Sequence, residues 1–281
     1  MAERVERAEA VAGADEELVA RGQRRRAMAV VAAPGVAVAV VVVVVLVVVT
    51  SPVVAAVAGV ASGAAVAVAA WWSATPRLLR ALRAEPADED ECARVFNQVE
   101  GLCATMGLAI PALWVVADES TNALVVGRRR DDAALVVTAG LARSLDPVQL
   151  EGVLAHELAH VKCADMIPAT MAAAVALPLS AAVPGLATVV HRVAGRGREF
   201  RTDQRAVSVT RYPPGLREAL ALMVDAGGPR PPSPLAGRGA AVVTRWLWTV
   251  ALSDPSALRS ASAVPGELDD AAVRIAALDE W

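Results

Sequence analysis

Residues 153–165 read Val-Leu-Ala-His156-Glu157-Leu-Ala-His160-Val-Lys-Cys-Ala-Asp165 and contain two of the three histidines in the chain. Positions four apart lie on one face of a helix, so His156 and His160 can both direct a ring nitrogen at one tetrahedral zinc ion. Glu157 lies about 100° around the helix from His156, within reach of a water beside the metal but not in a ligand position. This HExxH spacing predicts a zinc site with Glu157 as the general base. The alternative is an ordinary helix that carries these residues by chance, and the rest of the sequence has to decide.

The composition indicates a membrane protein. Of 281 residues, 56% are hydrophobic and 3% are aromatic, which is too apolar for a soluble domain of this size. The formal net charge of -3 provides no large basic face, which argues against nucleic acid as a partner. The three cysteines, Cys92, Cys103 and Cys163, are odd in number and widely spaced, which is typical of reduced thiols. Cys163 is close enough to His160 in sequence to approach a metal, but packing as a small apolar side chain is the simpler role.

Two uncharged stretches near the N-terminus predict a transmembrane hairpin. After a charged segment, residues 1–27, come residues 28–49, which are long enough to cross about 30 Å of hydrocarbon. Residues 53–72 form a second span that ends in Trp71-Trp72. A signal peptide is the alternative for the first stretch, but its apolar run is longer than usual for one. Arginines flank both outer ends and the short connection has none, so the positive-inside rule places both ends in the cytoplasm.

From residue 84 the composition shifts to that of a soluble domain, and residues 84–281 are predicted to form the catalytic domain. Apolar residues three and four apart predict a helix over residues 95–106 that ends at Gly107. Three short runs of β-branched residues predict a small sheet, and these are residues 113–117, 123–126 and 134–138. Asp146 followed by Pro147 predicts a capped start for the helix that carries His156 and His160.

The apolar segment at residues 166–190 constrains the topology. Its 25 residues in one straight helix would extend roughly 37 Å and carry the rest of the chain across the bilayer. Pro168, Pro178 and Pro184 offer places to break it, so we expect a re-entrant or membrane-associated hairpin that returns to the same side. Further on, residues 240–252 predict a short buried or interfacial helix and residues 265–278 a last amphipathic helix.

Glu199 and Asp203 are four apart on a predicted helix and therefore face the same way. Zinc peptidase sites commonly combine two histidines with one glutamate, which makes Glu199 the candidate third ligand. Asp203 would then hydrogen-bond the far nitrogen of a ligand histidine. On its own, this pair is better explained as a solvated helix face beside neighbouring arginines. Its position downstream of the HExxH motif favours the metal site.

As a set, residues 92–207 resemble the membrane zinc endopeptidases typified by HtpX and by the CAAX prenyl proteases, which are of the gluzincin type. The likeness rests on Asn122-Ala123, residues 135–141, residues 150–165 and Arg198-Glu199-Phe200 with Asp203, in the family's order. It implies that His156, His160 and Glu199 bind one Zn²⁺ per chain, with Glu157 as the base and Asp203 behind a ligand.

The same resemblance implies that the strand beginning at Asn122 and Ala123 binds an extended peptide substrate by its unpaired edge. A weaker likeness at Arg274 makes this residue a candidate for supporting the transition state, although an arginine here could also simply extend to solvent.

Two departures from the family pattern affect the expected activity. The hairpin between the second histidine and the third ligand is usually long, and here 38 residues separate His160 from Glu199. The His-Pro element that precedes the C-terminal arginine is not evident, with Ala263-Val264-Pro265 nearby instead. A histidine that would stabilise the oxyanion is therefore missing, which predicts low or altered activity.

We expect an α+β, mainly helical protein with a zincin-like catalytic domain and a small β-sheet, anchored in the plasma membrane by an N-terminal transmembrane helical hairpin. The expected function is a zinc-dependent endopeptidase with a cytoplasmic catalytic domain that acts on membrane or misfolded proteins. Its partners would be a protein substrate and the lipid bilayer. The alternatives are a membrane sensor metallopeptidase of the BlaR type and a non-catalytic membrane protein with a degenerate or structural metal site, in which Cys163 would be a fourth ligand. No residue pattern sets the substrate or the oligomeric state.

Overall fold

The structure is a computed structural model that describes residues 2–180, 186–195, 197–225, 243–250 and 271–281. It is mainly helical with one small mixed sheet, which confirms the predicted fold class.

Two long N-terminal helices pack as a hairpin, as predicted. Helix α1 spans Ala2–Leu46 and helix α2 spans Pro52–Leu82, and Glu17–Leu46 and all of α2 are long and apolar enough to cross a membrane. Many of their valines are exposed, which suits a surface that faces lipid. Helix α2 does not end at the predicted position 72. It continues because Leu78 and Leu82 are buried in the core of the catalytic domain, so the second span runs directly into that domain.

Small residues let the two helices of the hairpin touch. A Cβ atom added at Gly63 would lie 2.5 Å from the carbonyl oxygen of Gly35 and 2.9 Å from the Cβ of Ala39. One added at Gly59 would lie 2.8 Å from the carbonyl oxygen of Ala39. Such close backbone approach is typical of helix pairs in membranes, where dispersion contacts replace the hydrophobic effect.

The sheet has four strands in the order β1-β2-β4-β3, so β3 is an edge strand. The strands are β1 Glu85–Pro86, β2 Ala112–Val116, β3 Ala123–Gly127 and β4 Ala133–Thr138. Strands β2 and β4 are parallel and the other two pairs are antiparallel. The three predicted strands are confirmed. Strand β1 was missed, since its two residues are too few to show a periodic pattern.

Helix α5, Pro147–Cys163, is the central element of the domain. Its start has the predicted cap, because Asp146 Oδ1 accepts hydrogen bonds from the backbone N–H groups of Val148 and Gln149 and the Gln149 side chain accepts from Asp146 N. Most of α5 is buried, from Leu150 to Val161.

Helices α3 (Ala93–Met106), α8 (Arg198–Thr210) and α9 (Pro213–Asp225) pack around α5, and the short α4 is Ala139–Ser144. The predicted end of α3 at Gly107 is confirmed, with φ of 64°.

The chain turns sharply after α5. Helix α6, Met166–Ala176, is bent from α5 by 88°, after Ala164 in a left-handed conformation. It is buried along nearly all its length and contacts α1, α2 and β3, so it joins the hairpin to the sheet. Helix α7, Leu186–Ala194, then packs back on α6. The chain therefore does return towards α5, and insertion of residues 166–190 into a membrane stays a prediction.

Within its described part, the predicted helix over residues 240–252 is confirmed for residues 243–247 and wrong for residues 248–250. Arg245–Leu247 forms one turn of 3-10 helix, and Trp248 then forms an antiparallel bridge with Leu124 of β3. A short apolar run can form either a buried strand or a buried helix, and here the unpaired edge of β3 favours extended pairing at Trp248. Residues 240–242 and 251–252 lie outside the described residues. The last helix, α10, is Ala271–Glu280, inside and just beyond the predicted range.

Replacing Gly63 by valine should force the two hairpin helices apart and destabilise the protein by about 1–3 kcal/mol. The measurement is thermal unfolding in detergent. Ala64→Val is the matched control because Ala64 is exposed. Equal unfolding temperatures for the two variants would show that the glycine contact does not hold the hairpin.

Candidate metal centre

Three buried side chains from two helices converge on one point. His156 and His160 come from α5, and Glu199 comes from the first turn of α8. The Nε2 atom of His156 lies 3.0 Å from Glu199 Oε2, and the Nε2 atom of His160 lies 3.4 Å from the same oxygen. Ligand atoms of a tetrahedral zinc site lie roughly 3.3 Å apart, given bond lengths near 2.0–2.1 Å. The spacing of the three atoms therefore fits a zinc ion.

A carboxylate stands behind each imidazole. His156 Nδ1 lies 2.8 Å from Asp203 Oδ1, and His160 Nδ1 lies 2.8 Å from Asp165 Oδ1. A carboxylate at Nδ1 fixes the ring orientation and leaves Nε2 for a metal. Asp203 was predicted in this position. Asp165 was missed, because its approach depends on the sharp turn after α5, which no residue spacing reveals.

Arg274 of α10 is part of the site and does not extend to solvent. Its Nε and Nη2 atoms donate to the two carboxylate oxygens of Asp203 at 2.6 and 2.8 Å, and Nη1 donates to the carbonyl oxygen of Thr249. Nη1 also lies 3.8 Å from Glu199 Oε2. A bidentate pair of this kind holds both side chains in one geometry. Arg274 therefore positions Asp203 against His156, and its predicted support of a transition state stays a prediction.

The charges of the site favour a bound cation. Burial alone would raise the pKa of Glu199, but the Arg198 guanidinium and the two histidines hold it well below its usual range. Burial would likewise raise the pKa of Asp203, and Arg274 lowers it. For His160 burial alone would lower the pKa, but the neighbouring carboxylates raise it to about 10. The carboxylates of Asp165 and Glu199 favour a positive charge at this position, and a proton on His160 supplies it when no cation is bound.

The formal charges lead to the same conclusion. Among the described residues, four buried carboxylates accompany two buried guanidinium groups, which leaves two negative charges when the imidazoles are neutral. The groups are Glu157, Asp165, Glu199, Asp203, Arg198 and Arg274. Uncompensated charge is costly in a protein interior. A divalent cation on the three ligand atoms would balance the charge, so the residues present fit Zn²⁺.

Glu157 follows the ligand candidate His156 in α5 and is buried as well. Its Oε1 atom accepts a hydrogen bond of 2.6 Å from Thr249 Oγ1, and its Oε2 atom is buried without a hydrogen-bond donor in the described chain. A buried carboxylate oxygen is costly unless a polar group reaches it. The arrangement suits a base that takes a proton from a water at the metal.

Asn122 and Ala123, which were predicted to bind the backbone of a substrate, are hydrogen-bonded to a backbone segment of the same chain. The Asn122 amide donates from Nδ2 to the carbonyl oxygen of Val250 at 2.9 Å and accepts from Val250 N at 3.2 Å. The carbonyl oxygen of Ala123 accepts from Thr249 N at 2.8 Å. Sequence reasoning missed Thr249 and Val250, since their apolar surroundings predicted a helix.

Cys163 is half-buried near the end of α5. Within the described part of the chain, the group that can hold a metal consists of His156, His160 and Glu199. The arrangement therefore does not favour Cys163 as a fourth ligand of a closed structural site.

Part of the chain is similar to known proteases. The chain is 29% identical over 177 residues to a Protease HtpX homolog of Sulfurovum sp. (strain NBC37-1), covering 54% of this chain and 64% of the relative. It is 31% identical over 180 residues to one from Acidiphilium cryptum (strain JF-5), covering 54% and 63%. It is 29% identical over 185 residues to one from Salinibacter ruber (strain DSM 13855 / M31), covering 58% and 67%. The match thus spans less than two thirds of the first two relatives. Residues 89–224, which include α5 and α8 with the three converging side chains, match the sequence model of Peptidase family M48.

Proposed function

We propose that the chain is a membrane-anchored zinc endopeptidase that hydrolyses peptide bonds of membrane or misfolded proteins. The observation that carries the proposal is the convergence of two imidazole Nε2 atoms and the Glu199 carboxylate beside Glu157. The likeness to proteins named Protease HtpX homolog supports a peptide as the substrate.

In the proposed mechanism His156, His160 and Glu199 hold one zinc ion per chain. Zinc bound there would polarise the scissile carbonyl and lower the pKa of the attacking water. Glu157 takes the proton on Oε2, the oxygen that has no donor in the described chain, and passes it to the leaving amine. Asp203 and Asp165 keep the two imidazoles oriented, and Arg274 keeps Asp203 in place.

The proposed setting is a membrane surface. Residues 28–72 form the transmembrane hairpin, and residues 84–281 form the catalytic domain on the cytoplasmic side, with residues 1–27 on that same side. Helix α2 runs without a break from the span into the core of the domain, and α6 packs on both hairpin helices. The site is thereby held close to the bilayer, which favours membrane proteins as substrates.

Replacing Glu157 by glutamine should abolish hydrolysis of an unfolded protein such as casein while zinc remains bound. The amide cannot take the proton, but the three ligands are untouched. Zinc content by atomic absorption and the cleavage rate are measured on the same detergent-purified sample. Glu151→Gln, on the same helix but outside the site, is the matched control and keeps full activity. Undiminished cleavage by the Glu157 variant would refute the proposed mechanism.

Replacing Asp165 by asparagine should weaken zinc binding roughly 10–100-fold, because the carboxylate no longer orients His160. The measurement is a titration against a chelating dye. Asp90→Asn is the control, since Asp90 is exposed and lies in the linker before α3. If both variants bind zinc as tightly as the unmodified protein, Asp165 has no part in the metal site.

A further inference from the structure

Residues 246–250, called the strap below, lie along the edge of β3. Trp248 and Leu124 form an antiparallel bridge, and Thr249 N donates to the carbonyl oxygen of Ala123. The Asn122 amide pairs with both the N–H and the carbonyl group of Val250, as a neighbouring strand would. The strap therefore occupies the position in which an added peptide strand would pair with this edge.

Both ends of the strap are held in place. The Trp246 ring stacks on the ring of His191 in α7, with centroids 4.2 Å apart and planes at 17°, and Arg198 Nη2 donates to the Trp246 carbonyl oxygen at 3.1 Å. Towards the other end, Arg274 donates to the carbonyl oxygen of Thr249. Arg198 and Arg274 also hold Glu199 and Asp203, so the strap and the metal centre share the same two guanidinium groups.

The strap is also hydrogen-bonded to the buried metal centre. Thr249 Oγ1 is hydrogen-bonded to Glu157 Oε1, and His156, Glu157, His160 and Glu199 are all at most 7% exposed. The cavity between the strap and the ligands, lined by residues that include Glu199, Trp248 and Thr249, has a volume of about 10 Å³. This is room for about one water molecule and not for a peptide.

We propose that the strap is an autoinhibitory strand, which must leave the edge of β3 before a substrate can reach the metal centre. This inference rests on the proposed function. The edge of β3 can pair with only one strand at a time. The strap occupies the pairing groups of Asn122 and Ala123 and is hydrogen-bonded to Glu157, the base that hydrolysis needs. Among the described residues the strap forms one β-bridge with β3, whereas an extended peptide can pair along more of this strand. Unfolded segments can therefore displace it, and folded proteins cannot.

The test is a disulfide that locks the strap. Leu124 and Trp248 lie directly opposite each other in an antiparallel bridge flanked by the Thr249 hydrogen bond. Such a pair has Cα atoms about 4.5 Å apart, which suits a disulfide. The full chain carries Leu124→Cys and Trp248→Cys, with its three native cysteines replaced by alanine. Binding of a fluorescently labelled unfolded casein fragment to this protein, also carrying Glu157→Gln, is followed by anisotropy.

The oxidised protein should bind the fragment at least tenfold more weakly than the same sample after reduction. With Glu157 intact, oxidation should stop cleavage and reduction should restore it. The single cysteine variants are the controls and should not respond to oxidant. Equal binding in the two states, whether strong or undetectable, would overturn the proposal. If binding follows the lock but no cleavage occurs with Glu157 intact, the strap is correct and the proposed peptidase function is wrong.

A second pair of variants needs no disulfide. Val250→Pro removes the N–H group that donates to Asn122 and should loosen the strap, whereas Val250→Ala keeps that group. We expect the proline variant to bind the fragment severalfold more tightly than the alanine variant. Weaker or equal binding would contradict an inhibitory strap and would indicate that the segment is a fixed wall of the site.

Discussion

The structure depends on placing two imidazoles and several carboxylates inside a core. His156, His160 and Glu199 meet where α5 packs on α8, and all three are buried. Burial of this much unbalanced charge is tolerable only if each group has a partner. The partners are Asp203 and Asp165 behind the rings and Arg198 and Arg274 beside the carboxylates, and the proposed zinc ion would be the partner at the centre. The side-chain partners come from α8, from α10 and from the turn after α5, so this requirement links several elements of the domain.

The rest of the fold meets this requirement in stages. The capped start of α5 sets the helix on which both histidines stand, and the turn after Cys163 brings Asp165 back under His160. Helix α6 then joins the membrane hairpin to β3, and Thr170 of α6 accepts a hydrogen bond from Gly127 N at the end of that strand. The anchor, the sheet edge and the metal centre are therefore parts of one packed unit. The strap completes it, since Thr249 links the edge of β3 to Glu157 and to Arg274.

Much of the site could be predicted because its main signals are local. The four-residue spacings of His156 with His160 and of Glu199 with Asp203 follow from helix geometry alone, and the cap at Asp146 is also a local pattern. The three main strands were recognisable from their β-branched residues. The parts that were missed depend on tertiary contacts. Arg274 pairs with Asp203 across 71 residues of sequence, and Trp248 forms a β-bridge only because β3 offers it an edge.

The N-terminal hairpin was likewise predictable where its signals are local and not where it depends on tertiary contacts. Its two spans were recognisable from apolar length, but the continuation of α2 into the domain was not, because Leu78 and Leu82 become core residues only once the domain has folded around them. Strand β1, with two residues, exists only by pairing with β2.

The most direct test of the metal centre is X-ray absorption spectroscopy at the zinc edge on the detergent-purified, zinc-loaded protein. Two histidines and Glu199 predict a first shell of nitrogen and oxygen at about 2.0–2.1 Å, with the outer scattering of imidazole rings. A zinc–sulfur distance of about 2.3 Å would instead place Cys163 in the shell. That result would contradict the three-ligand centre on which the proposed peptidase mechanism rests.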